Sequence, residues 1–217
     1  MLTIQELQAL RDMINKTSSA VIEKYKKINN KDSEILFIGD SMVEYFSTST
    51  AFAGQKISNR GVAGATSKLI LDNLDDITGE IDPKKIFLSV GSNNLVLLEE
   101  NPEEAALGVK KLIDELMYIY PFATIYYLST TPVVSTSSKV YKKLYVAGRK
   151  NEDNQKINEI IKSYCNNENL VFINQYDSLL DSEGFLREDI TPDGIHLNKK
   201  GYEIYASNII PYLKETC

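Results

Sequence analysis

The first segment, residues 2–29, carries apolar residues at Leu2, Ile4, Leu7, Leu10, Met13, Ile14, Val21, Ile22, Tyr25 and Ile28. Steps of three and four residues place them on one face of an amphipathic helix. Thr17-Ser18-Ser19 is expected to break that helix, because hydroxyls compete for backbone hydrogen bonds, and Asn29-Asn30-Lys31-Asp32 to end it. The pattern then changes. Ile35-Leu36-Phe37-Ile38 is a short continuous apolar run closed by Gly39, the mark of a strand buried on both faces. Lys56–Asn59, Lys85–Val90, Thr124–Leu128 and Leu170–Ile173 read as four further strands. Helical spacing falls between them over residues 67–77, 102–120, 149–165 and 199–213. Strands alternating with helices predict a five-stranded parallel sheet covered by helices on both faces.

Length and composition fit this architecture. A chain of 217 residues suffices for one domain with a full core. The expected division is a helical extension over residues 1–30, packed on a domain spanning 31–217. The net charge is −6, from 24 basic and 30 acidic residues. No basic cluster marks a nucleic-acid face. No stretch approaches the length of a membrane span, and no apolar leader follows Met1, so a cytoplasmic location is expected. Cys165 and Cys217 are far apart and His196 is the only histidine. Neither a disulfide framework nor a zinc site of usual composition follows, and no metal or cofactor is expected.

Ligands of open parallel sheets bind at the carboxyl ends of the strands, and the polar signals of this chain collect there. Ser41, in FIGDSM, follows the first strand. It is either a helix cap or a hydroxyl presented at the sheet edge beside its own N–H. Asn59-Arg60-Gly61-Val62-Ala63-Gly64 is a glycine-bearing turn after the second strand. Gly64 serves either the turn itself or the close approach of a substrate oxygen. Gly91-Ser92-Asn93-Asn94 closes the third strand. The Asn93 amide is a candidate oxyanion donor, or a turn residue. Asp193 stands three residues before His196, close enough to orient the imidazole as a base.

In this order, GDS, a glycine turn, GxN and DxxH resemble the SGNH (GDSL-type) hydrolases over roughly residues 34–213, and the GDSMV and GxNN blocks are similar to the platelet-activating-factor acetylhydrolase-like branch. The resemblance implies a flavodoxin-like three-layer α/β/α sandwich. It implies a catalytic triad of Ser41, Asp193 and His196, and an oxyanion hole formed by Ser41, Gly64 and Asn93. Met42 and Asn94 stand where the family more often has Leu and Asp, and Asn94 removes a neighbouring carboxylate.

The activity implied is ester hydrolysis through an acyl-enzyme. No apolar lid is evident over the sheet end. That favours a short acyl group, acetyl first, on a carbohydrate or other polar alcohol. The segment Val133–Val146, within a long loop from Thr130 to Gly148, is the candidate lid. Its Tyr141 and Tyr145 are either sugar-stacking residues or packing residues. A lysophospholipase- or thioesterase-type acylhydrolase, a flavodoxin-like binding module for a phosphate or nucleotide, and an assembly protein with a dead site are the alternatives.

Overall fold

Four of the five strands form where the sequence runs largely apolar on both faces, and the alternating side chains feed two separate cores. A computed structural model describes residues 1–28, 30–165 and 168–214; Asn29 and Cys217, named above, lie outside the described residues. The five strands found among them are β1 (Ile35–Gly39), β2 (Ile57–Gly61), β3 (Lys85–Ser89), β4 (Thr124–Leu128) and β5 (Leu170–Ile173). They pair in parallel in the order β2-β1-β3-β4-β5.

The helices are α1 (Ile4–Tyr25), α2 (Ser41–Glu44), α3 (Thr48–Ala51), α4 (Ser67–Asp72), α5 (Leu74–Thr78), α6 (Ser92–Leu97), α7 (Pro102–Ile119), α8 (Lys143–Val146), α9 (Asn151–Tyr164) and α10 (Lys199–Lys214). Leu36, Ile38, Ile86, Leu88, Ile125 and Tyr127 pack on one face of the sheet with apolar residues of α4, α5, α7 and α9. Ile35, Phe37, Phe87, Tyr126 and Leu128 pack on the other with α2 and α10. This is the three-layer α/β/α sandwich implied by the resemblance.

Two expectations are corrected. Helix α1 runs unbroken through Thr17-Ser18-Ser19, because the three hydroxyls donate back to carbonyls of residues 13–15 without displacing the helical bonds. The segment 67–77 forms two short helices instead of one, divided at Asn73, whose side chain donates to the Leu69 carbonyl.

Register puts the functional turns side by side. Gly39 pairs with Gly61 on β2 and with Ser89 on β3, so β1, β2 and β3 reach the same edge together. A Cβ at Gly39 would lie 2.2 Å from the Ser89 carbonyl oxygen, so only glycine permits this approach of the strands. Helix α1 is tied to the same end of the sheet. The Tyr25 hydroxyl donates to the Gly61 carbonyl (2.5 Å), and the buried Arg60 guanidinium donates to the carbonyls of Tyr25 and Ile28.

Candidate active site

Ser41 is the first residue of α2. Asp40 caps that helix, its Oδ1 accepting the Met42 N–H at 2.9 Å. The hydroxyl is thereby fixed at the strand end. His196 Nε2 lies 2.9 Å from Ser41 Oγ, across 155 residues of chain. On the other side of the ring, Nδ1 is 2.7 Å from Asp193 Oδ2.

The loop before α10 is built to hold this pair. Asp193 Oδ1 accepts the N–H groups of Ile195 and His196, and Thr191 Oγ1 accepts that of Gly194. Burial pushes the Asp193 carboxyl up, but its contacts with His196 outweigh this and hold it below the ordinary carboxylate range. It is the ionised partner an imidazolium needs.

Gly64 occupies the left-handed region, at φ +78°, on a turn fixed from below by the Glu44 carboxylate, which accepts the Ala63 N–H. Among the described residues the N–H groups of Ser41 and Gly64 have no acceptor. Asn93, in the first turn of α6, is buried. Its Nδ2 donates to the Ala65 carbonyl at 3.0 Å and reaches Asp40 Oδ2 only at 3.5 Å. Asn94 is fully buried, accepts the Ser67 N–H and donates to Ser67 Oγ and Glu100. The departure from the more common Asp is thus absorbed by a bonded bridge between α4 and α6.

A cavity of about 350 Å³ joins these groups. Ser41, Gly64, Asn93 and His196 line it together with Tyr45, Tyr145 and Arg149. The rings of Tyr45 and Tyr145 stand edge-on to His196 at 5.2 and 5.5 Å. Tyr141 does not line this cavity; it is half-buried and packs against the apolar cluster beneath the loop. The 130–148 loop is not a flap. Val133 and Val134 are buried, and backbone bonds tie Val134 to Gly194 and Lys142 to Asp193, so the loop buttresses the histidine turn. The expected absence of an apolar lid is also corrected. Leu10, Met13, Ile14 and Val21 of α1 line the cavity, covering the site with a helix far from the motifs in sequence.

Sequence reasoning missed Asp40, Tyr45 and Arg149. Asp40 was visible within the GDS motif. Burial drives its carboxyl up to about 6, against the opposing pull of Arg149 and His196. Arg149 bonds the carbonyls of Ser92, Tyr145 and Val146 and the Asn93 side chain; nothing in its sequence neighbourhood announces this. Among the described residues no group of three His, Cys, Asp or Glu side chains is placed to hold a metal ion, and no helix is long and apolar enough to cross a membrane.

A sheet-end serine hydrogen-bonded to a carboxylate-held histidine, on a five-stranded α/β/α sandwich, defines the ester-hydrolase class of flavodoxin-like folds. The GDSL-like lipase/acylhydrolase family model matches residues 37–204, and the chain belongs to that family. A solved structure from Streptococcus pneumonia, provisionally named a platelet activating factor, superposes with a TM-score of 0.85 at 30% identity. It covers 98% of this chain and 100% of that one. The human platelet-activating factor acetylhydrolase IB subunit alpha2 is 27% identical over 181 residues, 80% of this chain and 72% of that protein. An Escherichia coli N-acylneuraminate cytidylyltransferase is 27% identical over 209 residues, 89% of this chain. The chain spans only 46% of that relative's length.

Proposed function

We propose that the chain is a serine esterase that removes short acyl groups, acetyl first, from a polar alcohol such as a carbohydrate. The observation that carries this reading is the hydrogen-bonded line from Ser41 Oγ through His196 to Asp193, at 2.9 and 2.7 Å. His196 Nε2 takes the hydroxyl proton as Ser41 Oγ attacks the acyl carbon. Asp193 holds the Nδ1–H tautomer and stabilises the imidazolium. The negative oxygen of the tetrahedral intermediate meets the N–H of Ser41, the N–H of Gly64 and Asn93 Nδ2. His196 then returns its proton to the alcohol oxygen as the carbon–oxygen bond breaks. A water deprotonated by His196 attacks the acyl-enzyme, releasing the acid and restoring Ser41. Residues 1–30 act in this scheme as an extension of a hydrolase domain at 31–217.

Cavity size supports a small acyl group, since about 350 Å³ is near the lower end for small-molecule sites. The tyrosine rings beside His196 supply apolar faces where the alcohol departs, suited to a sugar ring. An acetylhydrolase among the relatives points to the same acyl group. A panel of p-nitrophenyl esters of rising chain length, run beside acetylated sugars, tests the reading. Acetyl esters should be the best substrates, with turnover declining beyond about four to six carbons. Faster turnover of decanoyl than acetyl esters would replace this reading with a lysophospholipase- or thioesterase-type one.

A further inference from the structure

Helix α1 takes no part in the chemistry above, yet it faces the reacting groups. Leu10, Met13, Ile14, Thr17, Ser18 and Val21 line the cavity that holds Ser41 and His196. Their spacing of three, one, three, one and three residues makes a single stripe along the helix. Ile14 lies in the middle of the stripe and against the glycine turn. A Cβ placed on Gly64 would stand 2.8–2.9 Å from three of its side-chain carbons.

The helix is held over the site along its length. Glu6 pairs with Lys143 at 2.8 Å, close to Tyr145 in sequence. Arg11 donates to the Leu97 carbonyl and pairs with Glu99, both at 2.9 Å. Tyr25 and Arg60 anchor the far end. Leu2, Leu7, Leu10 and Ile14 complete a small apolar cluster with Val96, Leu97 and Ala147. The helix is therefore a fixed wall.

The directions available to a bound ester decide what that wall touches. The attacked carbon bonds Ser41 Oγ, and its oxygen turns toward Gly64 and Asn93. The departing oxygen must lie by His196 Nε2, beside whose ring Tyr45 and Tyr145 stand edge-on. Of the remaining lining, Leu10, Ile14 and Leu97 belong to one packed apolar cluster, a surface suited to an acyl substituent.

We infer that α1 forms the acyl-binding wall and that Ile14 sets the length of acyl chain accepted. This rests on the esterase reading. Ile14 is β-branched and stiff at χ1, so it does not swing aside for a longer chain. Each methylene admitted to a hydrophobic pocket changes discrimination by about 10–200-fold.

The test compares kcat/KM for p-nitrophenyl acetate, butyrate and hexanoate in wild type, Ile14→Ala, Ile14→Phe and Lys16→Ala, with melting temperatures alongside. Ile14→Ala should raise the hexanoate-to-acetate ratio at least about tenfold. Ile14→Phe should lower the butyrate-to-acetate ratio by a similar factor. Lys16→Ala, exposed and off the stripe, should leave both ratios unchanged. Ile14→Phe fills space instead of emptying it, so the claim stays exposed even if Ile14→Ala loosens the helix. Ratios that do not move in either folded Ile14 variant, with wild-type activity lost in Ser41→Ala, overturn this inference alone. Wild-type activity that survives Ser41→Ala overturns the esterase reading and this inference with it.

Discussion

Arg149 Nη2 donates to Asn93 Oδ1 at 2.5 Å. An arginine offers only donors, so this bond fixes which end of the amide is oxygen and leaves Nδ2 to face the Ala65 carbonyl and Asp40. Arg149 is thereby a positioning residue for the proposed oxyanion donor, held by carbonyls of Ser92, Tyr145 and Val146. Asn93→Ala should lower kcat about 10²–10³-fold with KM little changed. Arg149→Met should lower kcat about tenfold or more in the wild-type background, yet change it less than about threefold in the Asn93→Ala background. Steady-state kinetics on the two single variants and the double variant check this, and fully additive losses would contradict a role through Asn93.

The Asp40 carboxyl, lifted by burial to about 6, makes a pH-dependent contribution to stability. Its ordinary value is about 4. A carboxyl raised in the folded state favours folding below the unfolded value, and that contribution is lost as pH climbs through the folded value. A gap of about two units corresponds to about 3 kcal/mol. Wild type should therefore lose up to about 3 kcal/mol relative to Asp40→Asn between about pH 4 and pH 8. Urea denaturation of both proteins across that range measures the difference, and parallel curves would remove Asp40 as the cause.

Gly64 and Gly54 have similar backbones, at φ +78° and +87°, but different surroundings. A Cβ at Gly54 meets nothing within 4 Å, whereas one at Gly64 meets Ile14. Both alanine substitutions should cost about 1–2 kcal/mol of backbone strain. Only Gly64→Ala should also lower kcat, because it displaces the N–H proposed for the oxyanion and pushes on α1. Equal activity in the two variants, measured with matched melting curves, would take Gly64 out of the site.

Four strands were legible because a strand buried on both faces runs largely apolar, as in Ile35–Ile38; β2, with Ser58, Asn59 and Arg60, was marked only by its place before the glycine turn. Ser41, Gly64, Asn93, Asp193 and His196 were legible because each follows a strand or precedes the last helix with little chain between. The four-residue helices α2, α3 and α8 were not, since one turn shows no period. The covering of the site by α1 was hidden for a different reason. Leu10, Met13 and Ile14 declare a buried face, but no local pattern says which surface a helix will cover. Arg149 and Tyr45 are single side chains recruited by tertiary packing. Tyr141 and Tyr145 share a segment and a chemistry, and only the fold separates the residue at the cavity from the one beneath the loop.

The central claim is that Ser41 is a nucleophile activated by His196. A fluorophosphonate probe, followed by peptide mass spectrometry, tests it most directly. The account predicts one phosphonyl group per chain, carried on Ser41, with labelling lost in Ser41→Ala and strongly slowed in His196→Ala. Labelling that persists in Ser41→Ala, or wild-type protein that turns over acetyl esters without being labelled at Ser41, would contradict it.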